Sequence, residues 1–169
     1  MNMYYQNLMN IKESLSNEGN YSSIGKILEN LDMWLASLSF QKLMRINPYQ
    51  FALEYNHNER DVLRIFAEGE RKNLFEVKYE VRNDDNDYIG TISEEEYRKL
   101  VVHGDPIILY SRYTDRNEEF FSHNIEIWFS LKMKPTKVPE TILSTKKEIA
   151  PPVCGDDDNA KLWLGLAER

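Results

Sequence analysis

The chain has 169 residues, of which 41% are hydrophobic and 12% aromatic, and its formal net charge is −7. That length fits one domain with appendages, and the aromatic residues can supply a core. We find no apolar run near the ~18 residues that a membrane-spanning helix needs, and the first residues do not have the pattern of a secretory signal. With Cys154 as the single cysteine, no intrachain disulfide is expected, which favours the cytoplasm.

The sign of the charge argues against a general nucleic-acid binder. Proteins that bind phosphate backbones usually present a basic surface. Residues 58–133 hold 17 acidic and 11 basic side chains, so the middle of the chain is its most acidic part.

Two amphipathic helices are predicted at the N-terminal end. Residues 3–16 place Tyr4, Leu8, Ile11 and Leu15 on one stripe. A second and stronger pattern repeats apolar residues at helical spacing through Ile24, Ile27, Leu28, Leu31, Trp34, Leu35 and Leu38. Both stripes indicate packing against a core.

Two further helices and a tight turn are predicted between residues 47 and 72. Asn47 can cap a helix that has Pro48 in its first turn. Asn56 then tolerates the left-handed backbone that a short turn requires. Asn58 can cap the next helix, where Asp61 in the first turn is favoured by the helix dipole.

The second half of the chain is predicted to form antiparallel strands. In Leu74 to Val81, apolar side chains on one face alternate with Glu76, Lys78 and Glu80 on the other. After the polar turn 83–87, Ser93 and Glu96 form a capping box for a short helix that ends near His103. We predict strands again at 107–110 and 125–131, with residues 114–119 as a turn.

These elements predict an α+β fold in three parts. Residues 1–82 form the helical region, 83–133 a small antiparallel β unit with one short helix, and 134–169 an extended tail rich in proline, lysine, threonine and serine.

The predicted helix pair resembles a winged helix-turn-helix domain over residues 22–82. The resemblance rests on Ala52 where the helices cross, Asn56 four positions later in the turn, and Val62 ten positions after Ala52. It implies that 74–81 belongs to the wing and that 58–72 is the recognition-type helix.

Residues 105–131 also resemble the second half of a zinc-ribbon β unit, in which the strands 107–110 and 125–131 flank a knuckle. The positions of the knuckles, 83–87 and 110–113, contain no cysteine, so a thiolate zinc site is excluded there. The resemblance therefore implies a metal-free relative of that unit.

If the recognition-type helix reads DNA, its contacts would be Arg60, Arg64, Arg71 and Lys72. Three carboxylates, those of Glu59, Asp61 and Glu68, would approach the phosphates on the same helix and oppose binding. Winged helices also serve as protein-docking modules, and this balance of charge favours that use.

No recognisable catalytic motif is present. His57 is expected to be half-buried in the turn, and His103 lies at a helix C-terminus, where its charged form is favoured. A composite site of His103, His123 and Asp105 is the alternative that would make the chain a small enzyme. Asp84, Asp85 and Asp87 lack the spacing of a calcium loop, so we expect a solvated turn, with no metal or cofactor.

The tail carries the strongest sequence signal for a docking segment. Leu162, Trp163, Leu164 and Leu166 are too apolar for a free terminus and should pack on this domain or on a partner. The composition, rich in Asn, Lys, Glu and Tyr, resembles that of bacterial and phage proteins. We therefore expect a non-enzymatic accessory or adaptor subunit of a cytoplasmic assembly, for example in phage defence, that binds protein in a hetero-complex or as a homo-oligomer. A DNA-binding regulator is the alternative.

Overall fold

The fold is α+β, as the sequence predicted. In the computed structural model, residues 3–16, 21–133 and 150–151 are described. The helices are α1 (Met3–Ser16), α2 (Tyr21–Ser37), α3 (Phe40–Leu43), α4 (Pro48–Tyr55), α5 (Glu59–Arg71) and α6 (Glu94–His103). The strands are β1 (Phe75–Arg82), β2 (Tyr88–Ile92), β3 (Ile107–Ser111), β4 (Arg116–Phe120) and β5 (Ile125–Leu131), with a 3₁₀ turn at Ser122–Asn124. None of the helices in the described ranges is both long and apolar enough to cross a membrane.

Local signals set the ends of the helices, and these predictions are confirmed. The side chain of Asn47 accepts a hydrogen bond from the backbone N–H of Tyr49. The side chain of Asn58 accepts from the N–H groups of Arg60 and Asp61. Asn56 has φ 54° and ψ 47°, which is the left-handed conformation that joins α4 to α5.

The capping box of Ser93 and Glu96 is also present at the start of α6. The short α3, which Ser39 caps, was not predicted.

The helices enclose a single core together with the sheet. The predicted stripe of α1 is buried, and that of α2 is buried up to Leu35, with Leu38 partly buried. Phe66 of α5 stacks on Phe75 of β1, with ring centroids 4.5 Å apart, and Phe129 of β5 packs edge-on against Phe66 at 5.0 Å. Gly69 leaves room for the Phe75 ring, because a β-carbon at position 69 would lie 2.5 Å from that ring.

The larger sheet has the strand order β2-β1-β5, all antiparallel, and the smaller one is the hairpin β3-β4. Ile46 forms an isolated bridge to Phe129 on the far side of β5. The larger sheet therefore contains β1 from the predicted helical region 1–82 as well as β5 from the predicted β unit 83–133. In sequence, residues 83–124 connect these two neighbouring strands.

Two predictions about the strands are wrong. Residues 116–120 form β4 instead of a turn, and they pair with β3. The strands 107–111 and 125–131 do not flank one knuckle as a ribbon, because β5 pairs with β1. Strand pairing joins residues far apart in the chain, and local turn signals do not report it.

Glu80 belongs to the polar face predicted for the strand 74–81, yet only 6% of its surface is exposed. It pairs with the guanidinium groups of Arg45 and Arg82, and Arg82 also pairs with Glu126. The guanidinium of Arg45 also lies 3.7 Å from the ring centroid of Trp128, next to this network. Paired charges and the Trp128 ring thus cover part of the outer face of the sheet.

Candidate functional site

The helix α5 was the predicted site of nucleic-acid contacts, and most of its surface is used inside the protein. Arg60 is exposed, and Arg64 and Lys72 are half-buried. Arg71 forms a salt bridge of 3.2 Å with Glu68 one turn earlier. The four basic residues therefore do not form one free basic surface.

The expectation that Glu68 would face phosphates is wrong, because Glu68 is 7% exposed. Its carboxylate accepts a hydrogen bond of 2.7 Å from the hydroxyl of Ser14 in α1. The helix α1 thus covers the side of α5 that carries Glu68. Glu59 is exposed and Asp61 half-buried, so the first turn of α5 keeps two acidic groups beside Arg60.

The three histidines lie in separate surroundings. His57 is half-buried, as predicted, and its Nε2 lies 2.9 Å from the side-chain amide of Asn30. Burial, and then the charge of Lys26, lower the pKa of His57. His103 is exposed at the end of α6, and the exposed His123 lies 3.4 Å from Asp84.

The predicted composite site gains no support from direct contacts. Within 3–16 and 21–133, no hydrogen bond or ion pair joins His103, His123 and Asp105. The same ranges contain no group of three His, Cys, Asp or Glu side chains placed to hold a metal ion.

The acidic turn 83–87 is held by its own hydrogen bonds. The side-chain oxygen of Asn83 accepts from the backbone N–H groups of Asp85 and Asp87. The carboxylate of Asp84 accepts from the side-chain amide of Asn124, which ties the turn to the start of β5. These contacts give the turn a structural role.

The hairpin β3-β4 presents an unusual solvent face. Ile108 is 63% exposed and Tyr110 56% exposed, and the nearby Tyr113 in the turn is 48% exposed. On the opposite face, Ile107 and Phe120 are buried register partners. A half-buried hairpin normally turns polar residues to solvent, so an aliphatic and an aromatic side chain on the outer face make it a candidate contact surface.

Contacts within the hairpin hold its aromatic side chains. The Tyr110 hydroxyl donates a hydrogen bond to Asp115, and this bond raises the pKa of Tyr110. The guanidinium of Arg112 lies 5.1 Å from the ring centroid of Tyr113 and donates a 3.0 Å hydrogen bond to its hydroxyl. Rings fixed in this way lose little entropy when a partner binds. We call Ile108, Tyr110 and Tyr113 the hairpin face.

Sequence reasoning placed the strand β3 correctly but missed the hairpin face. The available signal was the run Ile107-Ile-Leu-Tyr110, which is apolar at successive positions instead of alternating. Such a run indicates a strand with apolar groups on both faces. The predicted docking residues Leu162, Trp163, Leu164 and Leu166, with the rest of the tail after Pro151, lie outside the described residues.

Comparison with protein-family models, with curated proteins and with solved structures finds no match for this chain.

Proposed function

We propose that the chain is a non-enzymatic accessory subunit of a cytoplasmic assembly, and that it binds another protein through the hairpin face. The observation that carries the proposal is the exposure of Ile108 and Tyr110 on the solvent side of a hairpin whose other side is buried. Tyrosine and arginine are enriched where protein interfaces gain most of their free energy, and the turn adds Tyr113 and Arg112.

The helical part supports a scaffold role in this proposal. In this proposal, α4, the Asn56 turn and α5, followed by β1, serve as the scaffold of a winged-helix type. The salt bridge between Arg71 and Glu68 and the partial burial of Arg64 and Lys72 reduce the basic surface that residues 58–72 offer. Protein docking therefore has more support than DNA reading.

The test is a pull-down of the tagged full-length chain from its host, with and without nuclease, followed by mass spectrometry. We expect a stoichiometric protein partner that survives nuclease treatment. The double variant Ile108→Thr with Tyr110→Thr places threonine, a residue that favours strands, at both positions but removes the large side chains. Truncating interface residues of this kind costs about 2 kcal/mol or more each, so retention of the partner should fall by more than about tenfold.

Val102→Thr provides the matched control. Val102 is 65% exposed on α6, so the substitution also removes an exposed apolar side chain but leaves the hairpin intact. The control should retain the partner. If both variants retain it equally, the hairpin face is not the interface.

The same pull-down also tests the alternative, a DNA-binding regulator. If the recovered proteins vanish with nuclease and nucleic acid is recovered instead, the DNA-binding reading replaces the proposal. Arg60→Glu with Arg64→Glu would then abolish binding and its dependence on salt.

A further inference from the structure

One edge of β1 is only partly covered by β2. β5 pairs with β1 from Phe75 to Val81, whereas β2 pairs only from Tyr79 to Arg82. In the described part of the chain, no strand lies against Phe75–Lys78 on the side of β2.

The hydrogen bonds show which backbone groups face this open edge. The Lys132 N–H donates to the Leu74 carbonyl at 2.9 Å, so Leu74 and every second residue after it bond to β5. In agreement, Phe129, the register partner of Val77, exchanges both of its backbone hydrogen bonds with Ile46 on the far side of β5. In an antiparallel strand, alternate residues direct both N–H and C=O to the same neighbour. Val77 therefore points its N–H and C=O at the open edge.

A cleft of about 600 Å³ lies along this edge. Its walls are the end of α5, the residues Glu76–Tyr79 of β1, the segment 91–94 where β2 passes into α6, and Lys132. Its size is within the usual range of ligand-binding clefts, and its long wall is the part of β1 that no other described strand covers.

The charges of the cleft favour a cation. Three carboxylates, those of Glu70, Glu76 and Glu94, line it against the two ammonium groups of Lys78 and Lys132. Burial, and then the charge of Glu94, raise the pKa of the half-buried Glu70. Lys132, Arg71 and Arg98 offset part of this rise, and Arg98 forms a salt bridge of 2.9 Å with Glu94. A cationic group of a ligand would therefore interact chiefly with Glu70, whose pKa stays raised despite these neighbours.

Glu70 and Glu94 lie on the same side of β1 as the Val77 side chain. Phe66 of α5 stacks on Phe75, and Tyr97 of α6 stacks on Tyr79 with ring centroids 4.2 Å apart. Both helices therefore cover the face of β1 that carries Val77, and Glu70 and Glu94 belong to these helices. A residue directly opposite Val77 in an added strand would turn its side chain to that same face.

We propose that the open edge of β1 at Phe75–Lys78 binds an extended segment of a partner protein as an added antiparallel strand, in line with β2. A basic residue of that segment bonds to the backbone of Val77 and places its cationic side chain beside Glu70 and Glu94. Main-chain hydrogen bonds supply affinity in this mode of binding, and the side chain supplies selectivity. This site is separate from the hairpin face and does not depend on it.

The test uses a fluorescein-labelled short peptide in which valine alternates with lysine, with the full-length chain and fluorescence anisotropy as the readout. Two analogues carry backbone N-methyl groups, one on the lysines and the other on the valines. The lysine N–H groups are those that face Val77 when the lysine side chains face Glu70. Lysine methylation should therefore weaken binding more than about tenfold, and valine methylation should leave it nearly unchanged.

Glu70→Gln should weaken binding of the unmethylated peptide about tenfold, since it removes a charge-assisted contact. Glu95→Gln is the matched control, because Glu95 lies in the first turn of α6, pairs with Lys99 and does not line the cleft. Failure of the peptide to bind, equal binding of the two methylated analogues, or equal effects of the two substitutions would each overturn the proposal.

Amide hydrogen exchange in the free full-length chain tests whether the edge is available. The Val77 amide should exchange fast without peptide and become protected with it, whereas the Glu80 amide, which bonds to β5, should be protected in both states. Protection of Val77 in the free chain would show that another part of the chain covers the edge, and would overturn the proposal of a partner strand.

Discussion

The contact between Gly69 and Phe75 gives a sharp test of the packing between α5 and the sheet. A β-carbon at Gly69 would lie 2.5 Å and 2.8 Å from two atoms of the Phe75 ring. The ring cannot easily move, because Phe75 is fully buried and stacked on Phe66. In a helix, replacing glycine by alanine normally stabilises by up to about 1 kcal/mol. Overpacking of a dense core costs about 1–3 kcal/mol, and a clash with an immobile ring falls near the upper end.

We therefore expect Gly69→Ala to lower the free energy of unfolding by about 2 kcal/mol, after its helix propensity is counted. For a chain of this size the melting temperature should fall by about 4–8 °C. Urea unfolding followed by tryptophan fluorescence gives the midpoint and the slope, so that a change in stability is separated from a change in the unfolded state.

Gly25→Ala is the matched control. Gly25 also lies within a helix, but its nearest neighbour to an added β-carbon is the Lys12 Cε at 3.9 Å, which is ordinary contact. This substitution should stabilise by about 0.5–1 kcal/mol. If Gly69→Ala stabilises the protein as well, the packing argument is refuted. In a Phe75→Leu background, the loss caused by Gly69→Ala should shrink, since the two effects share one contact.

Three further predictions concern the helices and their turn. Because burial and Lys26 lower the pKa of His57, the native state keeps the ring neutral while the unfolded chain takes up a proton near pH ~6.5. Stability should therefore fall as the pH drops from about 7 through the lowered pKa, and His57→Gln should flatten this part of a stability profile measured by urea unfolding. Asn56→Ala should destabilise by about 1 kcal/mol in thermal melts because of the positive φ, whereas Asn56→Gly should be nearly neutral. Glu68→Ala should cost about 1–3 kcal/mol because it leaves Ser14 without its acceptor, and an equal loss from the exposed Glu13→Ala would contradict the role of that buried contact.

The sequence predicted those parts of the fold that depend on neighbours in the chain. Asn47, Asn58 and Ser93 cap helices through bonds that reach two or three residues ahead, so residue type and spacing were sufficient. The apolar stripe of α1 was predicted for the same reason, because helical geometry alone brings Tyr4, Leu8, Ile11 and Leu15 to one side.

The errors concern contacts between distant parts of the chain. Glu80 is buried because Arg45, which is far away in sequence, reaches across the sheet to pair with it. Glu68 is buried because Ser14 of α1 lies against it. No local pattern distinguishes such glutamates from solvated ones. The hairpin face was missed for a similar reason. Whether Ile108 is exposed depends on how distant elements pack around the hairpin, and its sequence neighbours do not determine this.

Because α5 is largely buried, the strands offer more surface for binding than the helix α5 does. Seven of its residues are buried, from Val62 and Leu63 through Gly69, because α1, α4 and β1 pack on it from different sides. A helix enclosed in this way stabilises the domain but offers little surface to a groove of DNA. The described part of the chain instead exposes large apolar side chains on the hairpin face, and no strand in it pairs with Phe75–Lys78 on the side of β2. An exposed apolar face and an open strand edge both favour association with a partner, and the helical layer provides the rigid support that such a surface requires.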